Sequence, residues 1–290
     1  MLFKKDKIYY LDGALGTELQ RRGYSTKLPL WSAQTLFDQP DVVRDIYKEY
    51  ILAGADIITT NTFRTQRCTL AKAGLEEDTE RINQLAVQLC IEARTAANVS
   101  RPILIAGSLT TLEDCYRVDL VPDNETLIRE HTEQAQILTE TPIDFFLLET
   151  FNTIREAKAA TQAANATGKP VAVSFVINPE GNLLSGETLS DAVQILDQFH
   201  PIAYLVNCVS TQTATLGLEK LKKITALPFG AYANGDGHPD DDQGWLFENH
   251  PDSVESYMQA CTNWKRLGAT IIGGCCGTNP EYTKRYSQLR

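Results

Sequence analysis

The sequence predicts an α/β protein with a single-domain (β/α)8 TIM-barrel fold that spans residues 1–290. Short apolar runs alternate with longer amphipathic stretches along the whole chain, a pattern typical of parallel strands joined by helices. Eight such repeats with right-handed crossovers close most simply into a barrel. No Pro-, Gly- or Ser-rich linker and no block of like charges divides the chain, which indicates one domain.

Eight short apolar runs are the predicted strands. They cover residues 8–12, 56–61, 103–108, 144–149, 171–177, 203–208, 229–234 and 270–275. An open, doubly wound sheet is the alternative arrangement of the same repeats. The barrel is favoured because the turn after the first run, Asp12-Gly13-Ala14-Leu15-Gly16, has only two glycines of the dinucleotide-binding fingerprint.

Amphipathic stretches with helix start and stop signals follow the strands. The predicted helices cover residues 42–53, 75–98, 124–139, 153–167, 190–199, 213–225 and 252–267, and Pro280 can open a last helix in its first turn. In the first of them, apolar residues recur at helical spacing and Gly54 follows as the stop signal. A possible short helix also begins at Leu15 and Gly16.

Composition limits the classes of partner. The formal net charge is −10 and no basic stripe is visible, so we expect no nucleic-acid partner. No run approaches the roughly 18 apolar residues of a membrane span, which predicts a water-soluble protein. Residues 1–7 are basic but lack the apolar region of a signal peptide. The seven cysteines have irregular spacing, which favours reduced thiols and a cytoplasmic location.

Cys275 and Cys276 end the last predicted strand and are flanked by glycines. Adjacent side chains on a strand point to opposite faces unless the backbone turns sharply, which glycine permits. Cys208 ends the sixth strand, and a barrel brings all three thiols to one rim. Three protein ligands and one open position are typical of a catalytic Zn²⁺ site.

For the adjacent pair Cys275 and Cys276, the other interpretations are a strained disulfide and simple packing, and for Cys208 the other interpretation is core packing. The adjacent pair, the glycines and the third cysteine at a strand end favour the metal. The remaining cysteines are assigned to packing; they are Cys68, Cys90, Cys115 and Cys261. The four histidines form no ligand motif, and none is assigned to the metal.

Asp12 and Glu149 end the first and fourth predicted strands, so their carboxylates share the rim of the barrel. They are predicted to hold the ammonium group of a small zwitterionic substrate; the alternative is a salt bridge on the rim. The backbone N–H groups of Leu15 and Gly16, at the start of the possible short helix, are candidates to receive its carboxylate.

Further polar and aromatic residues end the second and seventh strands. The residues expected to bind substrate on the side of a second, cationic reactant are Asn61, Thr62, Phe63, Asn234 and, beyond the strand, Trp245. The ring face of Trp245 or Tyr232 is expected to contact the cation, and ordinary rim packing is the alternative for each residue. Residues 235–242 form an acidic loop. It lacks the spacing of an EF-hand, so we expect a solvated lid and not a calcium site.

Five segments together resemble the homocysteine S-methyltransferase family. They begin at Leu11-Asp12-Gly13-Ala14-Leu15-Gly16-Thr17-Glu18-Leu19 and continue with Asp56-Ile57-Ile58-Thr59-Thr60-Asn61-Thr62-Phe63, Leu148-Glu149-Thr150, Val206-Asn207-Cys208 and Gly273-Gly274-Cys275-Cys276-Gly277-Thr278. The resemblance implies a zinc-bearing barrel that methylates the thiol of homocysteine to give methionine. By position, Cys208, Cys275 and Cys276 match the zinc ligands, and Asp12 and Glu149 match the carboxylates that hold the substrate amino group.

Members of this family differ in methyl donor. The chain resembles stand-alone members that use S-methylmethionine or S-adenosylmethionine, since betaine-using members carry a long C-terminal extension. A methyl-corrinoid delivered by a partner protein is an alternative donor, because Tyr232-Ala233-Asn234 is similar to the corresponding segment of cobalamin-dependent methionine synthase. Betaine is a further alternative, because the barrel of betaine-using members also resembles this chain. A thiol-based zinc or redox sensor is the non-enzymatic alternative. No residue is assigned as a general acid or base, because a sulfonium donor leaves without needing a proton.

Overall fold

Eight parallel strands form one sheet in a computed structural model that describes residues 2–240 and 244–289. The strands are β1 Tyr9–Tyr10, β2 Ile57–Thr59, β3 Leu104–Thr110, β4 Phe145–Phe151, β5 Val171–Phe175, β6 Ala203–Asn207, β7 Phe229–Ala233 and β10 Ile271–Gly274. Their order across the sheet is β1-β10-β7-β6-β5-β4-β3-β2. The two ends of the sheet meet where Leu11 bridges Ile57, and the Asp12 N–H donates to the Ile57 carbonyl at 2.9 Å. The sheet is therefore the predicted (β/α)8 barrel.

Helices separate the barrel strands and pack around them. They are α1 Leu15–Arg21, α2 Gln34–Asp38, α3 Pro40–Ala53, α4 Arg67–Ala71, α5 Thr79–Ala97, α6 Asn124–Thr139, α7 Ile154–Asn165, α8 Leu189–Leu196, α9 Thr211–Ile224, α10 Ser253–Leu267 and α11 Pro280–Tyr286. A short antiparallel hairpin of β8 His238–Asp240 and β9 Gly244–Leu246 follows β7. No helix among the described residues has both the length and the apolar character that crossing a bilayer requires.

Local chemistry explains where these helices begin and end. Pro40 occupies the first turn of α3, where its missing N–H costs nothing, and Gly54 ends the helix in the left-handed conformation. Helices α6, α7 and α9 begin behind Asp123, Thr153 and Ser210, whose side chains accept a backbone N–H of the first turn. The predicted helices therefore agree with the structure to within a few residues.

Some predicted bounds differ from the observed ones. The first strand shrinks to two residues, and the predicted helix 75–98 begins as a 3-10 turn before α5. Helices α2 and α4 were not predicted, because each is only five residues long and shows little periodicity. The acidic loop contributes β8, and its residues Asp241 and Asp242 lie outside the described part of the chain.

Two apolar layers hold the barrel together. One fills its interior with side chains from alternate strand positions, including Leu11, Ile57, Ala106, Leu205 and Ile271. The other lies between the strands and the surrounding helices. Because the strands are parallel, their carboxyl ends open on one rim, and the polar strand-end residues are brought together there.

Candidate active site

A cavity of about 120 Å³ opens at the carboxyl ends of the strands. Its lining comes from the segments that follow most of the barrel strands, and includes Asp12, Leu15, Gly16, Trp31, Asn61, Phe63, Glu149, Cys208, Tyr232, Cys275 and Cys276. The three cysteines and two carboxylates selected from the sequence therefore share one cavity, although they come from four different strands.

The sulfur atoms of Cys208, Cys275 and Cys276 all lie within 4.8 Å of one another. Cys208 follows β6 with a backbone φ of 53°, and its Cα lies 5.6 Å from that of Cys275. The structure joins these two residues in a disulfide, which differs from the reduced thiols expected from the sequence. Thiols gathered closely enough to share one metal are also within reach of a sulfur–sulfur bond.

Backbone contacts turn the chain sharply at the adjacent cysteines. The Cys275 N–H donates to the Ala233 carbonyl at 2.7 Å, and the Cys276 carbonyl accepts the Gly235 N–H at 2.7 Å. The hydroxyl of Thr278 donates back to the Cys275 carbonyl at 2.7 Å. These bonds bring two neighbouring thiols to the same centre, which a regular strand cannot do.

The thiols fit a zinc ion by spacing and by charge. Two sulfur ligands of a tetrahedral zinc lie about 3.8 Å apart when each Zn–S bond is about 2.3 Å. The three sulfurs are already within 4.8 Å of one another, so zinc binding requires that the Cys208–Cys275 disulfide be reduced and that its two sulfurs separate. Burial raises the pKa of the Cys276 thiol to about 12, and the charge of Glu149 adds to this effect. A bound cation would favour the thiolate form that this environment otherwise opposes.

Asp12 is a buried carboxylate that is 5% exposed. It accepts the Thr59 N–H at 2.8 Å and the Thr59 hydroxyl at 3.2 Å. Burial nevertheless raises the pKa of Asp12 to about 8, because it outweighs these hydrogen bonds and the nearby charge of Glu149 acts in the same direction.

Glu149 lies within β4, where the register with β5 shifts. Thr150 has a φ of 63°, a left-handed conformation of the kind that accompanies a bulge and re-aims a neighbouring side chain. The Glu149 carboxylate accepts the hydroxyls of Ser108 and, at 3.2 Å, of Tyr232. Burial outweighs both hydrogen bonds and raises the pKa of Glu149 to about 7.

The other predicted site residues differ in where they lie. Leu15, Gly16 and Asn61 line the cavity, although the amide of Asn61 is engaged by Ser32, whose hydroxyl donates to it at 2.7 Å. Thr62 is fully buried behind the rim and donates to the Ser108 carbonyl at 2.7 Å. Thr62 does not line the cavity.

Asn234 and Trp245 are also displaced from the cavity predicted for them. Asn234 lines a neighbouring cavity of about 430 Å³, together with residues of the β8–β9 hairpin. Trp245 is 2% exposed, and its indole N–H donates to the Asp236 carbonyl at 2.9 Å. The hairpin accounts for both differences, since it buries Trp245 against the loop after β7.

Sequence reasoning missed two residues of the site. Trp31 lines the cavity and packs so closely on Gly16 that a Cβ there would overlap its indole ring. Tyr116 extends from the loop after β3, and its hydroxyl donates to the Cys208 carbonyl at 3.0 Å. Trp31 begins a short 3-10 helix and Tyr116 lies in a turn, and neither segment has a periodic pattern. The aromatic residue itself was the only available signal.

A parallel barrel with three clustered thiols and two buried carboxylates at its catalytic rim defines a TIM-barrel enzyme that handles a small amino-acid substrate or a metal. The sequence model of the homocysteine S-methyltransferase family matches residues 9–289. The chain therefore belongs to the homocysteine S-methyltransferase family, and the resemblance found in its motifs is confirmed.

Known relatives agree in sequence and in fold. Homocysteine S-methyltransferase YbgG of Bacillus subtilis (strain 168) is 31% identical over 288 residues, which cover 93% of this chain and 90% of the relative. The structure of the homocysteine methyltransferase MmuM from Escherichia coli in its metallated form has a TM-score of 0.86 and 26% identity, and covers 99% and 97% of the two chains. Its oxidized form has a TM-score of 0.84 and 27% identity, and covers 98% and 96%.

Proposed function

We propose that this enzyme transfers a methyl group to the thiol of homocysteine in a zinc-dependent reaction that forms methionine, with S-methylmethionine or S-adenosylmethionine as donor. One observation carries the proposal: the thiols of Cys208, Cys275 and Cys276 and the carboxylates of Asp12 and Glu149 line the same cavity. The metallated form of the E. coli relative supports a metal in this family. Because the cluster depends on reduced thiols, we assign the enzyme to the cytoplasm.

The three thiols would hold the zinc. When bound, zinc lowers the pKa of a coordinated substrate thiol, so that the thiolate, which is the nucleophile, is available at neutral pH. Cys208 is buried and Cys275 and Cys276 are partly buried, which limits the access of water to this site and strengthens the charge interactions inside it. The protein part of the task is then to orient the amino acid so that its sulfur faces the cysteines.

Asp12 and Glu149 would hold the ammonium group of homocysteine. Two carboxylates buried near each other disfavour each other's ionisation, and a shared cation relieves both the repulsion and the loss of hydration. Leu15 and Gly16 line the same cavity in the first turn of α1, where backbone N–H groups lack intrahelical acceptors. They would receive the substrate carboxylate.

The transfer itself needs alignment more than proton transfer. A bond forms between homocysteine sulfur and the methyl carbon while the bond between that carbon and the donor sulfonium breaks, and its electron pair stays on the donor sulfur. The thiol proton has already left to solvent, and the donor departs as a neutral thioether. This balance explains why the site can work without a general acid, and it makes in-line positioning the main contribution of the protein.

Metal content and activity test this proposal together. Protein purified anaerobically with reductant should contain one zinc per chain, and Cys276→Ser should lose both the zinc and methionine formation. Cys68→Ser is the matched control, because Cys68 lies outside the cluster and should leave zinc and activity unchanged. A zinc-free wild type that still forms methionine would refute the metal.

A panel of donors tests the second half of the proposal. Wild-type protein is given homocysteine with S-methylmethionine, S-adenosylmethionine, betaine or a methyl-corrinoid protein, and methionine is measured by mass. We expect turnover with a sulfonium donor. Turnover with betaine or the corrinoid protein alone would contradict the donor assignment and leave the acceptor unchanged.

A further inference from the structure

Arg64 is a buried cation without a counterion. Its side chain follows β2, only 8% of the residue is exposed, and its Nε is buried without a hydrogen-bond partner. Within residues 2–240 and 244–289, no ion pair or hydrogen bond of its guanidinium is found. The ring of Phe63 lies beside it, with its centroid 5.5 Å from the guanidinium carbon.

Two arginines of the described residues show the usual partnering. Arg67, three residues further on, forms an ion pair with Glu133 at 2.7 Å. Arg101 lies 3.5 Å from the Asp56 carboxylate. A buried charge normally has a counterion within the protein. A buried guanidinium that lacks one indicates that an anionic ligand binds there.

Arg64 stands at the edge of the active-site cavity. Phe63 lines that cavity, and the charge of Arg64 reaches the buried thiol of Cys115, lowering its pKa against the stronger effect of burial. The same thiol also senses Cys276. Phe63 in the cavity wall and Cys115 in the loop after β3 therefore place Arg64 beside the cavity, among the segments that follow β2 and β3.

We propose that Arg64 binds the carboxylate of the methyl donor, and so selects donors that carry an α-carboxylate in the same molecule as the methyl-bearing sulfonium. A guanidinium binds a carboxylate through two parallel hydrogen bonds, and partial burial strengthens them. This inference rests on the proposed methyl transfer to homocysteine. It deepens that proposal by naming a donor-specificity residue.

In the proposed function, homocysteine is bound by other residues of the cavity. Its ammonium group at Asp12 and Glu149 brings its carboxylate to the Leu15 and Gly16 side, and all four residues line the cavity directly. Arg64 does not line that space but lies beyond Phe63. Arg64 is therefore available to bind the second reactant, the methyl donor, whose methyl group must approach the cysteines from the mouth of the cavity.

The test compares a donor with its uncharged analogue. Wild type, Arg64→Gln and Arg64→Lys are assayed with S-methyl-L-methionine and with its carboxamide, in which the carboxylate is lost and the sulfonium kept. Arg67→Gln is the matched control, because its guanidinium already has a carboxylate partner and lies away from the cavity. Zinc content and the Kd of homocysteine are measured for every protein.

We expect Arg64→Gln to raise the donor KM roughly 10- to 100-fold for the acid and to remove the preference of the enzyme for the acid over the amide. Arg64→Lys should fall between, because a lysine keeps the charge and loses the planar fork. Homocysteine affinity and zinc content should not change. An undiminished preference for the acid in Arg64→Gln, or an equal loss of homocysteine affinity, would overturn the assignment.

Failure of the proposed function is distinguishable from failure of this inference. If wild type forms no methionine from any sulfonium, calorimetric binding of S-methyl-L-methionine, S-adenosylmethionine and betaine to wild type and Arg64→Gln decides the role of Arg64 without turnover. Weaker binding of at least one carboxylate ligand to the variant supports the inference. Equal binding of all of them refutes it.

Discussion

The hydroxyl of Tyr116 donates to the carbonyl oxygen of Cys208 at 3.0 Å, and so joins the loop after β3 to the cysteine that ends β6. Cys208 has a φ of 53°, a left-handed conformation that costs energy in any residue with a Cβ. Its N–H donates to the Tyr232 carbonyl at 3.3 Å. The backbone of Cys208 is thus held at its carbonyl by Tyr116, 92 residues upstream, and at its N–H by Tyr232, 24 residues downstream.

Replacing Tyr116 with phenylalanine should weaken zinc binding without abolishing it. The change removes one neutral hydrogen bond, which contributes about 1 kcal/mol, so the zinc Kd should rise roughly fivefold. Competition with a chelator of known affinity measures the shift. The Kd of a thiol-free amino acid should stay constant, since Tyr116 contacts neither carboxylate; an unchanged zinc affinity would contradict a role of Tyr116 in positioning Cys208.

Binding of the substrate ammonium group should release protons. Burial raises the pKa of Asp12 to about 8 and that of Glu149 to about 7, so near pH 6 both carboxyls hold their protons and bind an ammonium group poorly. The affinity for the ammonium group should therefore increase as pH rises from 6 to 8 and level off above the higher pKa. For each proton that binding releases, the affinity should increase about tenfold per pH unit.

L-2-aminobutyrate is a suitable probe, because it carries the ammonium and carboxylate groups without the thiol, whose own proton would confuse the count. Calorimetry in two buffers of different ionisation enthalpy gives the number of protons released. Butyrate, which lacks the ammonium group, is the control and should release none. Affinity of L-2-aminobutyrate that is flat from pH 6 to 8 would exclude the carboxylate pair as its binding site.

Glu149→Gln should stabilise the ligand-free protein while it weakens homocysteine binding. The folded protein holds the Glu149 proton more tightly than the unfolded chain does, because its pKa rises from 4.5 to about 7. Ionised Glu149 therefore costs stability progressively as pH rises from about 4.5 to 7. Glutamine has no such cost, and its amide oxygen can still accept one of the hydroxyls of Ser108 and Tyr232.

At pH 8 the free energy of unfolding of Glu149→Gln should exceed that of wild type by on the order of 1–3 kcal/mol, and at pH 4.5 the two should agree. Urea unfolding at both pH values measures the difference. Zinc content is the control for the site, and should be the same in both proteins. A variant less stable than wild type at pH 8 would show that Glu149 is ionised and well satisfied in the ligand-free fold.

Sequence reasoning identified the cysteines because their signal is local. Adjacent thiols at the end of a strand, next to glycines, are visible in one short segment, and the barrel rule brings Cys208 to them. The bulge at Glu149 had no such signal. Its neighbour Thr150 is held by Asn207, which accepts the Thr150 N–H at 3.0 Å from another strand.

Arg64 and Trp31 show a second limit. A loop sequence gives no indication of which arginine will lack an acidic partner, since that depends on how distant loops assemble. Nor does it indicate that Trp31 will pack on Gly16, or that the β8–β9 hairpin will bury Trp245 behind the rim. The fold followed from periodicity, whereas these residues depend on contacts between loops that have no period.

Arg101 offers the counterpart to Arg64 at the opposite end of the barrel. Its guanidinium lies 3.5 Å from the Asp56 carboxylate and donates to the carbonyls of Ile51 and, at 2.8 Å, of Ala55. Asp56 is 3% exposed and accepts the Tyr10 N–H at 3.2 Å, just before β2. This contact joins α3, β1 and the start of β2 where the barrel closes.

Arg101→Met should therefore lower the free energy of unfolding by about 2–4 kcal/mol, because it removes the cation beside a buried carboxylate and leaves two carbonyls with fewer donors. Arg64→Gln should lower it by less than about 0.5 kcal/mol, or raise it, because that change removes a buried charge that has no counterion. Urea unfolding of both variants measures the difference in stability. The donor KM should show the reverse contrast: it should be unchanged in Arg101→Met and raised in Arg64→Gln. Equal destabilisation by the two changes would mean that Arg64 has a structural partner in the folded protein, and its role in donor binding would then be excluded.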